Sequence, residues 1–432
     1  MGSDMNKQLT QIHDAMKDHL FNGIVPFWSG RVADEAYGGF LTNFDEAGRP
    51  EETPEKNAWS QARLIWFFSH LCRRFGVRDD WAALARAGVD FMIERFWDTE
   101  HGGWYCRLRR DGSILRDNKI VYDQSFAIYA LAEFFLAFGD ERSLVYASDT
   151  FDLLQNCCTD TVAGGYYEYF GRDWRVSAAG DECGDLKSLD AHMHLMEAFT
   201  TLCQATGRHI HRRKVVALMD LIVRHMIDPE FGCGRNQFDP AFRATPGFRM
   251  PVALYPHEHG RDHPDQSIHY TSYGHNIELA WLMRRAIEVT GQNIGEYREI
   301  IRGLLDHTAG NGIDREHGGL YRFGLHCGEP LIKEKEYWQH AEALIGFLDG
   351  YEAFDEPAYA QAFFNIWRFV DTHLINHDVG EWREVLDRRG RTLKGELGSP
   401  HKVAYHTGRA MIECTLRLER LLNTTNPSPA PD

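Results

Sequence analysis

Between Asp98 and Phe138 the chain reads DTEHGGW (98–104), GGWYCRLRRDG (102–112) and QSFAIYALAEFFLAF (124–138) in succession. A Gly pair here predicts the stop of a preceding helix, which needs a backbone φ > 0 that glycine adopts freely. The aromatic that follows opens a short extended segment of hairpin type. The third stretch is apolar almost all round, and a helix of that kind belongs inside a fold.

The same Asp-to-aromatic pattern occurs six times, as DEAYGGF from Asp34, DTEHGGW from Asp98, DTVAGGY from Asp160, DPEFGCG from Asp228, DREHGGL from Asp314 and NHDVGEW from Asn376. The first and last copies start 342 residues apart, a mean interval of about 68, longer than the common solenoid repeats and enough for two helices and a hairpin. Helical apolar periodicity recurs twice between consecutive copies. Six helices are predicted before the Gly motifs, at 6–28, 80–96, 142–157, 210–227, 295–309 and 357–375. Six more follow them, at 56–76, 121–138, 187–206, 275–290, 335–353 and 401–422. The second helix of each pair is the more apolar, which predicts an all-α fold: a closed (α/α)6 barrel of twelve helices with short β-hairpins at one end, preferred over an open solenoid. One domain over 5–422 is expected. Residues 1–4, ahead of Met5, read as a vector-derived scar, and 423–432, with three prolines, as a flexible tail.

Length alone, 432 residues, would suggest about three domains at ~150 residues each; the repeat replaces that division with six parts of one ring. The formal charge is −16, which disfavours nucleic acid and anionic membranes as partners. No apolar run is long enough to span a bilayer. Nine cysteines, without a C-x-x-C pair, read as reduced buried thiols in a cytoplasmic protein. Aromatics reach 12%, a content that suits ring faces lining a sugar cleft.

In a ring of parallel inner helices the helix starts converge at one mouth, and the early turns carry unusual side chains. They are Trp59 and Arg63, then Tyr122, Asp123 and Gln124, then His192 and His194, then His275, Glu278 and Trp281, then Trp338 and Glu342, then His406 and Arg409. His275 and His406 each open an inner helix amid apolar residues, and Glu278 shares a face with His275. Arg63 inside an apolar helix needs a carboxylate or a ligand oxygen. Metal binding by His275, Glu278 and His406 is a lesser alternative, and no metal is expected. HEHGRDH (257–263) resembles a metal tract but reads better as a solvated loop. Dinucleotide, P-loop, serine-hydrolase and zincin motifs are absent. A glycoside hydrolase on the same barrel would use Glu278 and Glu342 as its two carboxylates, leaving both histidines idle.

KSLDAHMHLMEAFTTL, SYGHNIELAWLM, EYWQHAEALIGFLDGYE and AYHTGRAMIE, with ARLIWFFS ahead of them, resemble in order the helix motifs of the N-acylglucosamine 2-epimerase superfamily. The resemblance is strongest to its cellobiose and mannose 2-epimerase branch and covers nearly the whole chain. It implies an (α/α)6 barrel, His275 and His406 as an acid/base pair with Glu278 beside them, and Arg63, His194, Trp281, Trp338 and Glu342 at the substrate. Trp59 matches a site Trp of the isomerase branch, and Tyr122 is counted with the binding residues. Two departures bear on substrate. His401 in HKVAYH stands where cellobiose epimerases carry a Trp, so one platform for a second sugar is missing. YGHNIELAW departs from the PGH-x-x-EW pattern of the aldose-ketose isomerases, which favours epimerisation.

The expected activity is therefore a cofactor-free sugar 2-epimerase, interconverting mannose and glucose through an enediolate. Imidazole suits both proton transfers near neutrality. The alternatives are an aldose-ketose isomerase taking mannose to fructose and an epimerase of β-1,4-disaccharides such as cellobiose or mannobiose. The expected partner is a small neutral sugar, with the protein a monomer or homodimer.

Overall fold

The computed structural model describes residues 3–246 and 269–425; the HEHGRDH tract lies outside them. Twelve long helices run in alternation. The outer ones are α1 (Ser3–Asp18), α3 (Asp79–Phe91), α5 (Glu141–Leu153), α7 (His209–His225), α9 (Ile294–His307) and α11 (Pro357–Phe369). The inner ones are α2 (Ala58–Phe75), α4 (Val121–Phe138), α6 (Leu189–Thr206), α8 (Tyr273–Thr290), α10 (Tyr337–Phe354) and α12 (Ala404–Thr425). Helix α12 thus continues three residues into the stretch expected as tail. All the outer helices except α7 lead into a π-helical turn, such as Met92–Phe96 after α3.

Each inner helix packs on the next, and α12 packs on α2, closing the ring. Every outer helix lies against the inner helix before it, α1 against α12. This is the (α/α)6 barrel. The inner helices are buried through most of their length. Among the described residues, no helix is long and apolar enough to cross a membrane. Seven cysteines are buried, Cys157 is half-buried and Cys327 is exposed; all nine are free thiols.

Short strands lead into the inner helices and pair antiparallel with the following repeat: Glu55–Asn57 with Arg107–Arg109, Lys119–Ile120 with Tyr169–Phe170, and Lys187–Ser188 with Gln237–Phe238. Tyr270–Ser272 pairs with Phe323–Leu325 and Lys335–Glu336 with Val385–Leu386. Phe44 bridges to Gly398 and joins the last repeat to the first. Three partner strands continue as hairpins, such as Arg107–Arg109 with Ile114–Arg116. The hairpins therefore gather at the end where the inner helices begin.

Two buried devices recur around the ring. In four repeats the Asp that starts a Gly motif accepts backbone N–H groups of its own loop and pairs with a Lys just before the inner helix. Lys56 Nζ lies 2.9 Å from Asp34, Lys119 3.1 Å from Asp98, Lys187 2.7 Å from Asp160 and Lys335 3.2 Å from Asp314. Arginines of the next hairpin cover three of these carboxylates: Arg110, Arg172 and Arg388. The second device uses the fourth residue of the inner helix. Gln61, Gln124, His192, Asn276 and His340 accept the N–H of Phe40, Trp104, Tyr166, Gly234 and Leu320, the residues after the Gly positions. His192 and Gln124, expected at the mouth as early polar residues, are thus occupied in the scaffold. Burial lowers the His192 pKa to about 4, so its Nε2 stays an acceptor while Nδ1–H donates to Ser188 O at 2.8 Å.

The loop also requires glycine. Gly103 has φ +75°, and a Cβ there would stand 2.4 Å from the Trp174 ring. Gly103→Ala is expected to destabilise the protein by about 1–3 kcal/mol, read as a lower urea midpoint at unchanged slope.

Candidate active site

The register of the inner helices assembles the site. Residues two and six of a helix lie four apart and share a face. The second residues are Trp59, Tyr122, Asp190, Gly274, Trp338 and Tyr405; the sixth are Arg63, Phe126, His194, Glu278, Glu342 and Arg409. The third residues of α8 and α12 are His275 and His406. Side chains from all six helices meet around a cavity of about 750 Å³ whose lining includes Arg63, Tyr122, Asp190, His194, His275, Glu278, Trp338 and His406. Its outer wall comes from the last two hairpins and the approach to α12, including Arg322, Glu334, Glu384, Lys394 and His401.

The two histidines flank one aromatic ring. The Trp338 centroid is 4.9 Å from the His275 ring and 5.7 Å from that of His406. His275 is the more open, its side chain 19% exposed against 7% for His406. His406 Nδ1 lies 2.7 Å from Glu342 Oε1. Burial, reinforced by Arg63, Arg409 and His194, holds the His406 pKa well below the ordinary histidine value. The ring is therefore neutral, with Nδ1–H donating to the carboxylate and Nε2 keeping its lone pair.

His194 is set the other way. Burial opposes its charge, but Asp190 and Glu197 outweigh that effect and push its pKa up to about 10. Nδ1 is 2.9 Å from Glu197 and Nε2 3.3 Å from Asp190, whose Oδ1 also lies 3.6 Å from His275 Nε2. A fixed cation thus faces the cavity beside the Arg63 guanidinium, which donates to Tyr122 Oη at 2.8 Å and lies 4.3 Å from the Phe126 ring centroid. Arg63 Nε has no partner among the described residues.

Under the cavity floor sits a charge cluster. Arg409 donates to Glu278 at 2.6 Å, to Glu342 at 2.7 Å and to Glu197 at 2.5 Å, and also meets Tyr405 Oη. Burial, then repulsion from Glu342, raises the Glu278 pKa to about 7 although Arg409 opposes the shift. Glu278 Oε2 has no hydrogen-bond partner among the described residues. Among those residues, Glu278, Glu342 and His406 form the one group with metal-ligand spacing, within 4.8 Å of one another. The Arg409 guanidinium already bridges the two carboxylates, so a cation there would have to displace it.

Of the residues expected from sequence, Arg63, Tyr122, His194, His275, Glu278, Trp338 and His406 line this cavity. Trp281 and Glu342 lie beneath it, Trp281 Nε1 donating to Glu342 at 3.0 Å. Trp59 lines an adjoining cavity of about 160 Å³ that shares Tyr122, Asp190 and His401. Asp190, Glu197 and Tyr405 escaped the sequence reading, and Arg409 entered it only as an early polar residue. Aligning the six helix starts would have exposed all four, because they occupy positions two, six and nine of the same faces.

The family model described as N-acylglucosamine 2-epimerase matches residues 38–410. The cellobiose 2-epimerase of Bacteroides fragilis is 27% identical over 92% of this chain and 97% of its own length. The solved cellobiose 2-epimerase from Spirochaeta thermophila superposes with a TM-score of 0.85 at 28% identity, covering 98% of this chain and all of that one. A D-mannose isomerase structure shares the fold, with a TM-score of 0.79 at 19% identity over 94% of this chain and 97% of its own. The chain belongs to the N-acylglucosamine 2-epimerase family and is an enzyme of the sugar epimerase and isomerase class.

Proposed function

We propose that the protein interconverts free aldoses at C2, with mannose and glucose as the favoured pair. The observation that carries this reading is the placement of His275 and His406 on helices two places apart in the ring, flanking Trp338 across one cavity. Two imidazoles either side of C2 permit inversion. One takes the C2 proton from the open-chain aldose, giving an enediolate, and the other delivers a proton to the opposite face. The negative charge that develops on O1 and O2 meets the His194 cation and Arg63, donors fixed on the inner helices α6 and α2. Glu278, with a pKa near neutrality and a free Oε2, is suited to protonate the ring oxygen as the pyranose opens. Only protons move, so the reaction calls for no hydride carrier.

The monosaccharide preference rests on His401. It stands where the resemblance places a Trp for the second sugar, and its ring lies 5.0 Å from that of Trp59.

Mannose incubated with the enzyme in D2O and followed by NMR tests the reading. Glucose deuterated at C2 is the expected product. Fructose as the principal product would replace epimerisation by aldose-ketose isomerisation, and faster turnover of cellobiose or mannobiose than of mannose would overturn the monosaccharide assignment.

A further inference from the structure

Gly274, the second residue of α8, carries no side chain, whereas its counterparts on the other inner helices are Trp59, Tyr122, Asp190, Trp338 and Tyr405. Glycine is a poor helix residue, and no positive φ calls for it here. Space does. A Cβ on Gly274 would stand 2.9 Å from both Cζ3 and Cη2 of Trp338 and 2.5 Å from Cγ of Gln339. Nonbonded carbons sit best at about 3.5–4.0 Å, so a methyl group there would force a neighbour to move.

The two neighbours differ in what holds them. Gln339 is unbranched at Cβ and its amide has no hydrogen-bond partner among the described residues, so turning its Cγ aside breaks no bond. The Trp338 indole is rigid. It is also the group between the two imidazoles, 4.9 Å from the His275 ring and 5.7 Å from that of His406.

A second glycine shows how closely these helices approach. Gly346 on α10 faces α8 further along, where a Cβ would meet Ile277 Cγ1 at 2.5 Å and the Ile277 carbonyl oxygen at 2.8 Å. Each helix thus gives up a side chain to the other. Helix α8 carries His275 and Glu278, and α10 carries Trp338 and Glu342. The bond from Trp281 Nε1 to Glu342 spans the same interface.

We propose that Gly274 is a positioning residue for the acid/base pair: the side chain it lacks is the seat of the Trp338 ring edge, and this seat sets where the ring stands between His275 and His406. The consequence for catalysis rests on the two-histidine reading above, whereas the place of the ring is readable in the free protein.

NMR of the full chain labelled with carbon-13 at histidine Cε1 tests the seat, with the His275 and His406 resonances assigned by His275→Gln and His406→Gln. Both rings lie close enough to Trp338 to feel its ring current. Gly274→Ala is expected to shift these two resonances and to leave that of His192, bound to the Tyr166 N–H in the scaffold, in place. It should also lower kcat for C2 exchange of mannose about 10–100-fold, the scale expected when reacting groups are misplaced by about 1 Å. In a Trp338→Phe background the shorter ring withdraws the two atoms that the methyl would meet. There the same substitution should cost less, with a coupling of at least about twofold. Gly310→Ala places its methyl in open space and should change neither readout. Unmoved His275 and His406 resonances in Gly274→Ala would overturn the proposal. So would shifts shared with His192, which mark a general packing defect, or additive effects of the two substitutions, which would assign the contact to Gln339. Moved resonances in a protein whose wild type exchanges no C2 proton would retire the epimerase reading and keep the seat.

Discussion

His406→Ala is expected to lower kcat/KM for C2 epimerisation by about 10²–10⁴-fold, the usual contribution of a positioned acid/base group, and to do so asymmetrically. His406 is neutral because it is buried among Arg63, Arg409 and His194, and its Nδ1 is tied to Glu342. Nε2 is therefore ready to take a proton. Alanine removes that base but leaves His275 on the other side of Trp338. One epimer should still lose its C2 proton to His275 and regain a solvent deuteron on the same face. Isotope then enters that epimer without inversion, while the other neither exchanges nor inverts. His275→Ala should reverse the pattern between the two sugars. NMR of each pure epimer in D2O reads both. Full activity in both variants, or exchange lost from both epimers in each single variant, would remove the two-base assignment.

That asymmetry depends on which side chains face the cavity, and here sequence and structure contributed unequally. The Gly motifs and the apolar runs between them were enough for the barrel, because a helix stop and an all-round apolar helix are local signals. The predicted inner helix at 121–138 coincides with Val121–Phe138. That His275 and His406 face the cavity was legible because each opens an apolar helix. Their environment was not. Nothing near His406 in sequence reveals that Glu342, 64 residues away, holds its Nδ1, or that Asp190 lies between His194 and His275. His192 and His194 look alike in DAHMHLM, yet a two-residue step sends one to the Tyr166 N–H and the other to the cavity. Burial lowers both pKa values, but at His194 the carboxylates of Asp190 and Glu197 outweigh it, whereas at His192 the backbone bond to Ser188 does not.

Arg409→Met is expected to cause the largest loss of stability, about 3–5 kcal/mol, the cost of removing one partner from a buried ionic cluster. The guanidinium is the cation that Glu197, Glu278 and Glu342 share beneath the floor, and it is about 1% exposed. Methionine fills similar volume, so the effect isolates charge from packing. Without Arg409, Glu278 and Glu342 repel each other in a buried site and must take up protons to remain there. Glu342 then becomes a poorer acceptor for His406 Nδ1, so activity should fall with stability. The double variant Glu278→Gln/Arg409→Met discriminates this account from a simple packing defect. Removing one of the stranded charges should recover part of the loss, giving a coupling energy of about 0.5–3 kcal/mol in a double-mutant cycle. Urea unfolding of the four proteins supplies the cycle. Additive effects, or an Arg409→Met protein as stable as the wild type, would mean that the carboxylates do not depend on this guanidinium. Arg409→Lys makes the complementary point: it keeps the charge but not the fork, and a single ammonium cannot span Glu197 on one side and the Glu278–Glu342 pair on the other. It should retain more stability than the methionine variant while still loosening the Glu342–His406 contact.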